Sequence, residues 1–388
     1  MPGAVRPIFD VWPAIAPAHA FAPLGDFPTP VDSLEAVVRA AGAPRDDVFA
    51  KRDDLTSPIY GGNKVRTLEA LLGLAQRRGA THVIASGAFG SNHAAATVFH
   101  ARRAGLEPGV LLFPQPQSAT AAENLRAVLG SHLVSYALPH WSALPFGIWR
   151  VARREKALGR RPFIMVPGGA TPEGALGYIS AALEVAFQVQ ARLVPLVREV
   201  VVGVGSTCTS AGLLAGFALA ARLGIGFTDR GGRPAPPRVV AVRVTPWPVT
   251  SAHRIVSLAV RASRLLARAA GDTTLELAHG PLASMLRVEG RYLGRGYGHA
   301  TAAGHDAIRL WRDHAGTALD TTYSAKAAAA FLDIARAGTA GPLLYWSTKS
   351  TGPLPTPDLA ALEAAPPRMR RFLVSSPLAT YKTSRPEP

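Results

Sequence analysis

The segment KRDDLTSPIYGGNKVRTLEALL, residues 51–72, places a lysine where its amine could act as a nucleophile. Gly61 and Gly62 permit a tight turn, and Lys64 then stands at the predicted start of a helix. The positive end of a helix dipole disfavours the ammonium form of a lysine at that position. A neutral amine is the form that bonds to an aldehyde cofactor. Taken alone, the pattern is more often an ordinary surface lysine after a turn.

A second junction, ASGAFGSNHAAATVFHARRAGL at residues 85–106, leads from a predicted strand through a glycine-rich loop into a helix. Ser91, Asn92 and His93 fall in the first helical turn, where free backbone N–H groups bind a carboxylate or phosphate. Serine is also a common helix cap, so simple capping explains it equally well. A histidine by itself is more often structural than a base. The junction is a candidate anion site.

The third junction is VVGVGSTCTSAGLLAGF, residues 201–217. A strand, a hydroxyl-rich loop and an Ala/Gly-rich helix together suit a phosphate dianion. Neither the GxxxxGK[ST] nor the GxGxxG pattern is present, so a smaller phosphate-bearing cofactor fits better than a nucleotide. The three junctions supply an amine, a carboxylate site and a phosphate site. Those are the contacts that pyridoxal phosphate and an amino-acid substrate require.

Short apolar runs alternate with longer amphipathic stretches from about residue 48 onward. The runs predict strands near residues 48, 82, 110, 163, 199, 238 and 343. The stretches predict helices over residues 63–78, 91–104, 119–129, 173–192, 209–223, 251–269, 301–315 and 323–337. This alternation is typical of a mainly parallel α/β sheet, in which ligands bind beyond the carboxyl ends of the strands. The Pro-rich segment from Pro353 onward predicts a strand-free tail or surface wrap.

Composition excludes several classes of protein. Hydrophobic residues make up 48% of the 388 residues, yet no run approaches the roughly 20 apolar residues of a membrane span. The N-terminal stretch is interrupted by Pro and Asp and lacks the apolar core of a secretory signal. Cys208 is the only cysteine, which excludes an internal disulfide and a multi-cysteine zinc site. We therefore expect a cytoplasmic protein with no metal centre and no membrane partner.

The formal net charge of +16 raises the alternative of a nucleic-acid-binding protein. The basic residues are mostly Arg and are scattered in short pairs, such as Arg102-Arg103 and Arg370-Arg371, with no run of five. Zinc-finger spacing and an aromatic-studded basic sheet are also missing from the sequence. The charge favours a solvated basic surface, and we expect no nucleic-acid partner.

Several ordered motifs resemble one known family, the tryptophan-synthase-β-like pyridoxal-phosphate enzymes. Within it they are most similar to the D-cysteine desulfhydrase and 1-aminocyclopropane-1-carboxylate deaminase branch. GGNKVRTLE resembles the lysine segment of that branch, GSNHAAAT its substrate turn and GSTCTSAGL its phosphate loop. VPGGATPEGALGYISAALE and GYGHATAAGHDAIRLW also resemble family segments. The resemblance covers about residues 48 to 350.

The resemblance implies a role for each candidate residue. Lys64 would hold pyridoxal 5′-phosphate as a Schiff base, and Asn92 would contact the ring hydroxyl. Ser91, Asn92 and His93 would bind the substrate, with Ser91 also near the reacting proton. The remaining residues are expected to bind the phosphate (Gly205, Ser206, Thr207, Cys208, Thr209), to act as active-site tyrosines (Tyr297, Tyr323) and to face the ring nitrogen (Ser324, Thr348).

The resemblance also implies an architecture of two open, mainly parallel twisted sheets flanked by helices. A small α/β domain, residues 67–178, would be inserted into a large cofactor-binding domain made of residues 1–66 and 179–388, the last part being the Pro-rich tail of 353–388. A homodimer is the habit of the family.

The residues expected at the ring nitrogen suggest the reaction. Related deaminases have a Glu after the second tyrosine, whereas this chain has Ser324, and Thr348 falls where desulfhydrases have a hydroxyl. A neutral hydroxyl holds a ring proton less firmly than a carboxylate. This favours β-elimination from a D-amino acid such as D-cysteine, giving pyruvate, ammonia and sulfide. The freed amine of Lys64 would remove the α-proton, and Tyr323 with Tyr297 would protonate the leaving group.

Other residues depart from the family pattern. Gly90 stands in place of Gln, Cys208 in place of a loop glycine, and Trp346 and Lys349-Ser350 in place of His and Gly-Gly. Ala95 and Ala96 replace more polar residues. Three alternatives therefore stay open: a deaminase acting on 1-aminocyclopropane-1-carboxylate, a catalytically altered pyridoxal-phosphate-binding protein, and a basic nucleic-acid-binding protein.

Overall fold

The computed structural model describes residues 6–338 and 341–375 of the chain. Within these residues the strands are β1 (Val31–Ser33), β2 (Val48–Lys51), β3 (His82–Ala88), β4 (Glu107–Phe113), β5 (Val134–Ala137), β6 (Pro162–Met165), β7 (Glu199–Val204), β8 (Arg238–Arg243), β9 (Leu286–Glu289) and β10 (Leu343–Trp346). The seven strands predicted from apolar runs are all present, and β1, β5 and β9 are additional.

The α-helices of the described residues are α1 (Pro7–Val11), α2 (Ala16–His19), α3 (Glu35–Ala40), α4 (Lys64–Arg77), α5 (Asn92–Ala101), α6 (Ala119–Leu129), α7 (Leu144–Ala157), α8 (Pro172–Gln190), α9 (Cys208–Arg222), α10 (Ala252–Ala270), α11 (His279–Ser284), α12 (Ala302–Ala315), α13 (Ser324–Arg336), α14 (Leu359–Glu363) and α15 (Pro367–Val374). The eight predicted helices are all present. Their ends differ most at α5, which stops at Ala101 because residues 102–104 form a 3₁₀ turn.

Two mainly parallel sheets organise the chain. The larger has the strand order β1-β2-β10-β7-β8-β9, and β1–β2 is its antiparallel pair. The smaller has the order β5-β4-β3-β6 and is wholly parallel. Strand β7 is buried along its whole length, as expected for a central strand covered by helices on both faces. The expected architecture of two mainly parallel sheets flanked by helices is confirmed.

The chain divides into two compact units. The larger unit comprises the described residues up to Leu74 together with Gly169–Gly352, and the smaller unit comprises Ala75–Gly168 together with the described residues after Gly352. Helices α14 and α15 belong to the smaller unit, where the Phe372 ring packs edge-on against Phe89 with centroids 5.3 Å apart. The resemblance expects the Pro-rich tail in the large domain. Part of that tail, residues 376–388, lies outside the described residues, and the domain limits stay a prediction.

None of the described helices is both long and apolar enough to span a membrane.

A network of buried charges holds helix α4, which begins at Lys64. Arg66 donates three hydrogen bonds to Asp53, at 2.8, 2.9 and 3.1 Å, and two to Glu184 on α8, at 2.9 and 3.0 Å. The Lys51 ammonium on β2 makes a further ion pair with Glu184 at 2.6 Å. All four side chains are buried. The network therefore ties α4 to the sheet and to α8 with two cations balanced by two carboxylates.

Two aromatic side chains also donate hydrogen bonds to the carboxylate of Asp53. The Tyr178 hydroxyl donates to Oδ2 at 2.9 Å, and the Trp346 indole N–H donates to the same oxygen at 2.8 Å. Trp346, one of the departures from the family pattern, thus connects the end of β10 to the residues beneath α4.

The same network depresses the pKa of one carboxyl group. Burial alone would raise the pKa of Glu184, but Arg66 and Lys51 lower it to about 2. Because the folded pKa lies below the unfolded one, this group stabilises the fold above about pH 4.3 and loses that contribution as the pH falls towards 2.

The turn before α4 depends on a glycine. Gly62 has a φ of +89°, and a Cβ there would lie 2.6 Å from the carbonyl oxygen of Thr348 and 3.0 Å from the amide nitrogen of Ser350. Further hydrogen bonds join Asn63 N to Thr348 O at 3.1 Å and Gly61 N to Ser350 Oγ at 3.0 Å. The loop after β10 therefore lies directly against the residues that lead into Lys64.

Replacing Arg66 tests the network. Arg66→Met leaves Asp53 and Glu184 buried without their main cation, so the free energy of unfolding should fall by about 3–5 kcal/mol. Urea unfolding followed by tryptophan fluorescence measures the loss. Arg39→Gln, which removes the exposed Arg39–Glu35 pair, should leave stability nearly unchanged. Equal losses in the two variants would show that the network does not hold α4.

Replacing Gly62 tests the turn. Gly62→Ala combines an unfavourable φ with a backbone clash, and we expect a loss of stability about 2 kcal/mol larger than that from unfavourable φ alone. Gly42→Ala is the matched control, because Gly42 has a φ of +79° and a Cβ added there would meet no atom within 4 Å. The same urea titration compares them. Similar losses of unfolding free energy in the two variants would mean that the loop after β10 moves to accommodate the added Cβ without destabilising the fold.

Candidate functional site

Lys64 is the first residue of α4, at the carboxyl edge of the larger sheet. Its side chain is partly buried, and desolvation lowers its pKa, with the nearby Cys208 thiol acting in the opposite direction. The residue immediately before it is Asn63, whose side-chain amide donates to the hydroxyl of Thr209 at 2.9 Å. Asn63 is therefore held between the loop after β10 and the start of α9, and desolvation favours the neutral form of the adjacent Lys64 amine.

The predicted phosphate loop connects β7 to α9. Thr207 adopts a left-handed conformation with a φ of +74° and precedes α9 without a side-chain cap on the helix. The carbonyl of Gly205 accepts hydrogen bonds from Thr245 at 3.1 Å and Thr250 at 2.6 Å, which fix the loop. The 15-residue helix α9 thus begins without a side-chain cap on its first-turn amides, and their binding of a phosphate stays a prediction.

Tyr323 lies against this loop. A Cβ at Gly205 would be 3.0 Å from Cε1 of the Tyr323 ring, so a side chain at position 205 would displace the tyrosine. Tyr323 precedes α13, and its backbone N–H donates to Asp320 at 2.9 Å. The close approach brings a predicted catalytic residue and the predicted phosphate loop together.

Tyr297 and Tyr323 form a hydrogen-bonded pair, with 2.8 Å between their hydroxyl oxygens. Their rings pack edge to face, with centroids 5.9 Å apart. Burial raises the pKa of Tyr297 to about 12. Burial and the neighbouring Tyr297 raise the pKa of Tyr323 well above its usual value. Both phenols keep their protons at neutral pH and can act as proton donors.

Cys208 is accommodated by pointing away from the loop's backbone amides into the protein. Its thiol donates to the carbonyl of Gly169 at 3.2 Å, and its sulfur lies 3.9 Å from the hydroxyl of Thr67. Burial raises the pKa of this thiol to about 11, although Lys64 acts to lower it. The departure from glycine therefore adds a neutral, internally bonded side chain.

The two hydroxyl residues expected at the ring nitrogen differ in their surroundings. The Ser324 hydroxyl donates to the carboxylate of Asp320 at 2.7 Å and accepts from the Asp320 amide at 2.6 Å. It is thus engaged with the turn that precedes α13. Thr348, which is also buried, lies in the loop that contacts Gly62 and Asn63. The geometry associates Thr348 more closely with Lys64, while both roles remain predictions.

The predicted substrate turn belongs to the smaller unit. Ser91 caps α5, and its hydroxyl oxygen accepts from Ala94 N at 3.3 Å, so the capping explanation holds for this side chain. His93 is buried in the first turn of the helix. The first-turn position predicted for Ser91, Asn92 and His93 is therefore confirmed, and their contacts with a substrate remain a prediction.

Two residues that sequence reasoning missed support this turn. The buried Asn124 on α6 donates to Asn92 Oδ1 at 2.8 Å and to the Gly90 carbonyl at 3.1 Å. Gln115 accepts from Gly90 N at 2.9 Å, so a glutamine amide reaches position 90 from a neighbouring loop. The one available signal was an asparagine on the apolar side of the helix predicted over residues 119–129.

These groups suit pyridoxal phosphate. The larger unit offers an amine with a lowered pKa, a helix N-terminus without a side-chain cap and two neutral phenols. Such a set can bond an aldehyde, bind a phosphate and donate a proton. Among the described residues, no three His, Cys, Asp or Glu side chains are grouped so as to hold a metal ion.

Comparison with known proteins gives a family. The family described as "Pyridoxal-phosphate dependent enzyme" matches residues 23–343. The nocardicin C-9′ epimerase of Nocardia uniformis subsp. tsuyamanensis is 33% identical over 354 residues, which are 86% of this chain and 95% of the relative. The D-cysteine desulfhydrase of Salmonella paratyphi C is 32% identical, over 83% of this chain and 91% of the relative.

A solved structure agrees with these relatives. The crystal structure of a 1-aminocyclopropane-1-carboxylate (ACC) deaminase homologue superposes with a TM-score of 0.71 at 28% identity, covering 90% of this chain and 96% of that one. The family match selects an enzyme over the nucleic-acid-binding alternative and identifies the cofactor as pyridoxal phosphate. The chain belongs to the pyridoxal-phosphate-dependent enzymes, in the group that contains the ACC deaminases and the D-cysteine desulfhydrases.

Proposed function

We propose that this enzyme holds pyridoxal phosphate on Lys64 and catalyses β-elimination from a small D-amino acid such as D-cysteine, releasing pyruvate, ammonia and sulfide. The main supporting observation is the placement of Lys64. Lys64 is the first residue of α4, and its amine is desolvated. The side chain of the preceding residue, Asn63, donates a hydrogen bond to Thr209 at the start of α9. An amine whose neutral form is favoured is available to bond to an aldehyde.

Each part of the cofactor has proposed contacts. The backbone amides from Gly205 to Thr209 would bind the phosphate, Asn92 would contact the ring hydroxyl, and Thr348 would face the ring nitrogen, with Ser324 as the alternative. When bound, pyridoxal phosphate supplies an aldehyde carbon that bonds to an amine and a ring that accepts an electron pair. The remaining chemistry is done by side chains of this chain.

The proposed proton transfers follow from the pKa directions. The Lys64 amine would be freed when the amino group of the substrate takes its place, and in its favoured neutral form it would then remove the α-proton of the substrate. Ser91 and the first-turn amides of α5 bind the substrate carboxylate, which selects the C–H bond that is broken. Tyr323 would then donate its proton to the departing sulfur as the C–S bond breaks, and would recover a proton from solvent through its hydrogen bond to Tyr297. Water would hydrolyse the released 2-aminoacrylate to pyruvate and ammonia.

The choice of elimination over opening of a cyclopropane ring rests on the residues near the ring nitrogen. A carboxylate there would hold a proton and strengthen electron withdrawal, whereas Thr348 and Ser324 are neutral. The hydroxyl of Ser324 is in addition engaged with Asp320. Weaker withdrawal suits a substrate with a good leaving group on Cβ. An activity like that of the ACC deaminases remains the alternative.

A second candidate reaction is inversion at the α-carbon. The relative named nocardicin C-9′ epimerase is about as similar to this chain as the desulfhydrases are. Inversion and elimination both begin with removal of the α-proton, and they diverge in whether a proton returns to Cα or a group leaves Cβ. The Tyr297–Tyr323 pair supports elimination, because it supplies an acid for the leaving group.

Lys64→Ala tests the attachment of the cofactor. Borohydride reduction of the protein saturated with pyridoxal phosphate should add cofactor mass to Lys64, and the variant should lose both the adduct and the visible absorbance. Peptide mass spectrometry locates the adduct. Lys156→Ala, which changes an exposed lysine on α7, should keep both. A wild-type protein that stays colourless and unmodified at Lys64 would refute the proposal.

Tyr323→Phe tests the proposed acid. Loss of a general acid should lower kcat/KM for pyruvate and sulfide formation from D-cysteine by about 100-fold or more, with the Lys64 adduct retained. Exchange of the α-proton with deuterated solvent, followed by NMR, should continue because Lys64 is the base. Tyr292→Phe, which removes a hydrogen bond to Asp333, is the control and should keep activity.

The same assay separates the alternatives. Exchange with inversion and no keto acid in the wild type would indicate an epimerase, and keto acid from 1-aminocyclopropane-1-carboxylate would indicate a deaminase. Equal loss of exchange and elimination in Tyr323→Phe would assign the tyrosine to proton abstraction instead.

A further inference from the structure

The smaller unit carries a cluster of exposed aromatic side chains. Trp141, Phe146 and Trp149 are 62%, 60% and 51% exposed, although such large rings are usually more buried. Arg150 and Arg153 lie beside them on α7. We call these five residues the aromatic–arginine face.

Packing inside the unit does not account for this face. The side of α7 that packs inward carries Gly147, Val151 and Glu155, which are spaced four residues apart and buried. Phe146, Arg150 and Arg153 follow the i, i+4, i+7 spacing of a separate stripe. One side of α7 therefore packs inside the smaller unit, while the other leaves large aromatic rings exposed, as at surfaces that bind a partner.

The aromatic rings are already stacked on their broad sides. The rings of Phe146 and Trp149 are 5.6 Å apart and nearly parallel, at 24°. The guanidinium of Arg150 lies 5.8 Å from the Phe146 centroid, and that of Arg153 lies 5.0 Å from the Trp149 centroid. Ring edges and guanidinium groups are what the face presents to a partner.

The charge around the face is strongly positive. Residues 140–163 contain Arg150, Arg153, Arg154, Lys156, Arg160 and Arg161. The one acidic residue in that stretch is Glu155, which is buried and paired with Arg160 at 2.9 Å. A partner for this surface must therefore be anionic.

We propose that the aromatic–arginine face binds the surface of an anionic phospholipid bilayer. Guanidinium groups bind lipid phosphates, while the edges of Trp and Phe rings enter the boundary between headgroups and acyl chains. A bilayer also accepts the convex surface of a single helix without a matching groove. This differs from the sequence-based expectation of no membrane partner, which considered spanning segments and the bulk charge.

Two other occupants fit less well. A symmetric contact with a second copy would place the same arginines opposite one another, and like charges repel. Single-stranded nucleic acid binds by stacking bases on the broad faces of aromatic rings, and at Phe146 and Trp149 those faces are taken by each other and by guanidinium groups. Trp141, whose ring contacts His140 at a tilt of 47°, is a single ring and gives no platform for successive bases.

Vesicle sedimentation of the full-length holoenzyme tests the proposal. The protein should sediment with vesicles of equimolar phosphatidylcholine and phosphatidylglycerol, sediment far less with phosphatidylcholine alone, and be released by high salt. The double variant Arg150→Gln/Arg153→Gln should bind the anionic vesicles about tenfold to hundredfold more weakly. The triple variant Trp141→Ala/Phe146→Ala/Trp149→Ala should also bind them more weakly.

Matched control variants distinguish binding by this face from non-specific adsorption of the protein to vesicles. Trp247 is 73% exposed in the larger unit, so Trp247→Ala should leave vesicle binding unchanged. Arg261→Gln/Arg268→Gln removes two exposed arginines of α10 and should act much less than the α7 double variant. Visible absorbance of the bound cofactor and elution volume show that each variant is folded. Brominated lipids should quench tryptophan fluorescence in the wild type and less in the triple variant.

Several outcomes would overturn the proposal. One is no binding to anionic vesicles, and another is equal binding by the α7 variants and their controls. A wild-type dimer that the α7 variants convert to a monomer would assign the face to a second copy. Binding to duplex DNA or to polyglutamate as tight as binding to vesicles, and equally weakened by the α7 variants, would reduce the face to a general polyanion site.

Discussion

The ion network around Arg66 is the constraint on which the placement of Lys64 depends. Lys51 and Lys64 are two lysines for which burial lowers the pKa. At Lys51 the group that opposes this shift is the carboxylate of Glu184, 2.6 Å away, whereas at Lys64 it is the weakly acidic thiol of Cys208. The network thus supplies a carboxylate to Lys51. Through Arg66 it also fixes helix α4, which begins at Lys64. Because Asp53 and Glu184 are already occupied by these cations, α4 can be anchored without a carboxylate beside Lys64 that would hold it protonated.

Two residues of the larger unit that depart from the family pattern, Trp346 and Cys208, make hydrogen bonds inside the protein. Trp346 donates to Asp53, and Cys208 donates to Gly169, so each added group finds a partner inside the protein. A buried polar group without a partner would destabilise the fold, whereas a bonded one is tolerated. These two substitutions therefore alter how the helices are braced and leave the first-turn amides of α9 and the amine of Lys64 in place. In the smaller unit Gln115 and Asn124 similarly provide amides at the turn that contains Gly90.

Much of the fold could be predicted because its central strands are continuous apolar runs and most of its helices have one apolar stripe. The elements that were missed lack those signals. Strands β5 and β9 have four partly buried residues each, and α7 contains Pro145 and Gly147 and places aromatic residues on its exposed side. The three loops of the candidate site were found from glycine, hydroxyl and lysine residues at strand ends. Their supports were not, since Asp53, Arg66 and Glu184 are 13 and 118 residues apart and nothing local announces that they pair. The roles of the site residues and the limits of the domains are still predictions.

Desolvation has opposite consequences for the pKa of the candidate base and for the pKa values of the candidate acids. Desolvation acts on an ammonium and a phenol in opposite senses: it lowers the pKa of Lys64 and raises those of Tyr297 and Tyr323, because in each case the neutral form is favoured. A neutral amine accepts a proton and a neutral phenol can donate one, but desolvation is needed only for the amine, since a phenol is already protonated at neutral pH. A carboxylate in the same surroundings would be shifted towards its protonated form and would stop being a base. Among ionisable side chains that lose water on folding, a lysine is thus shifted towards the form that can accept a proton, whereas an acidic residue is shifted away from it.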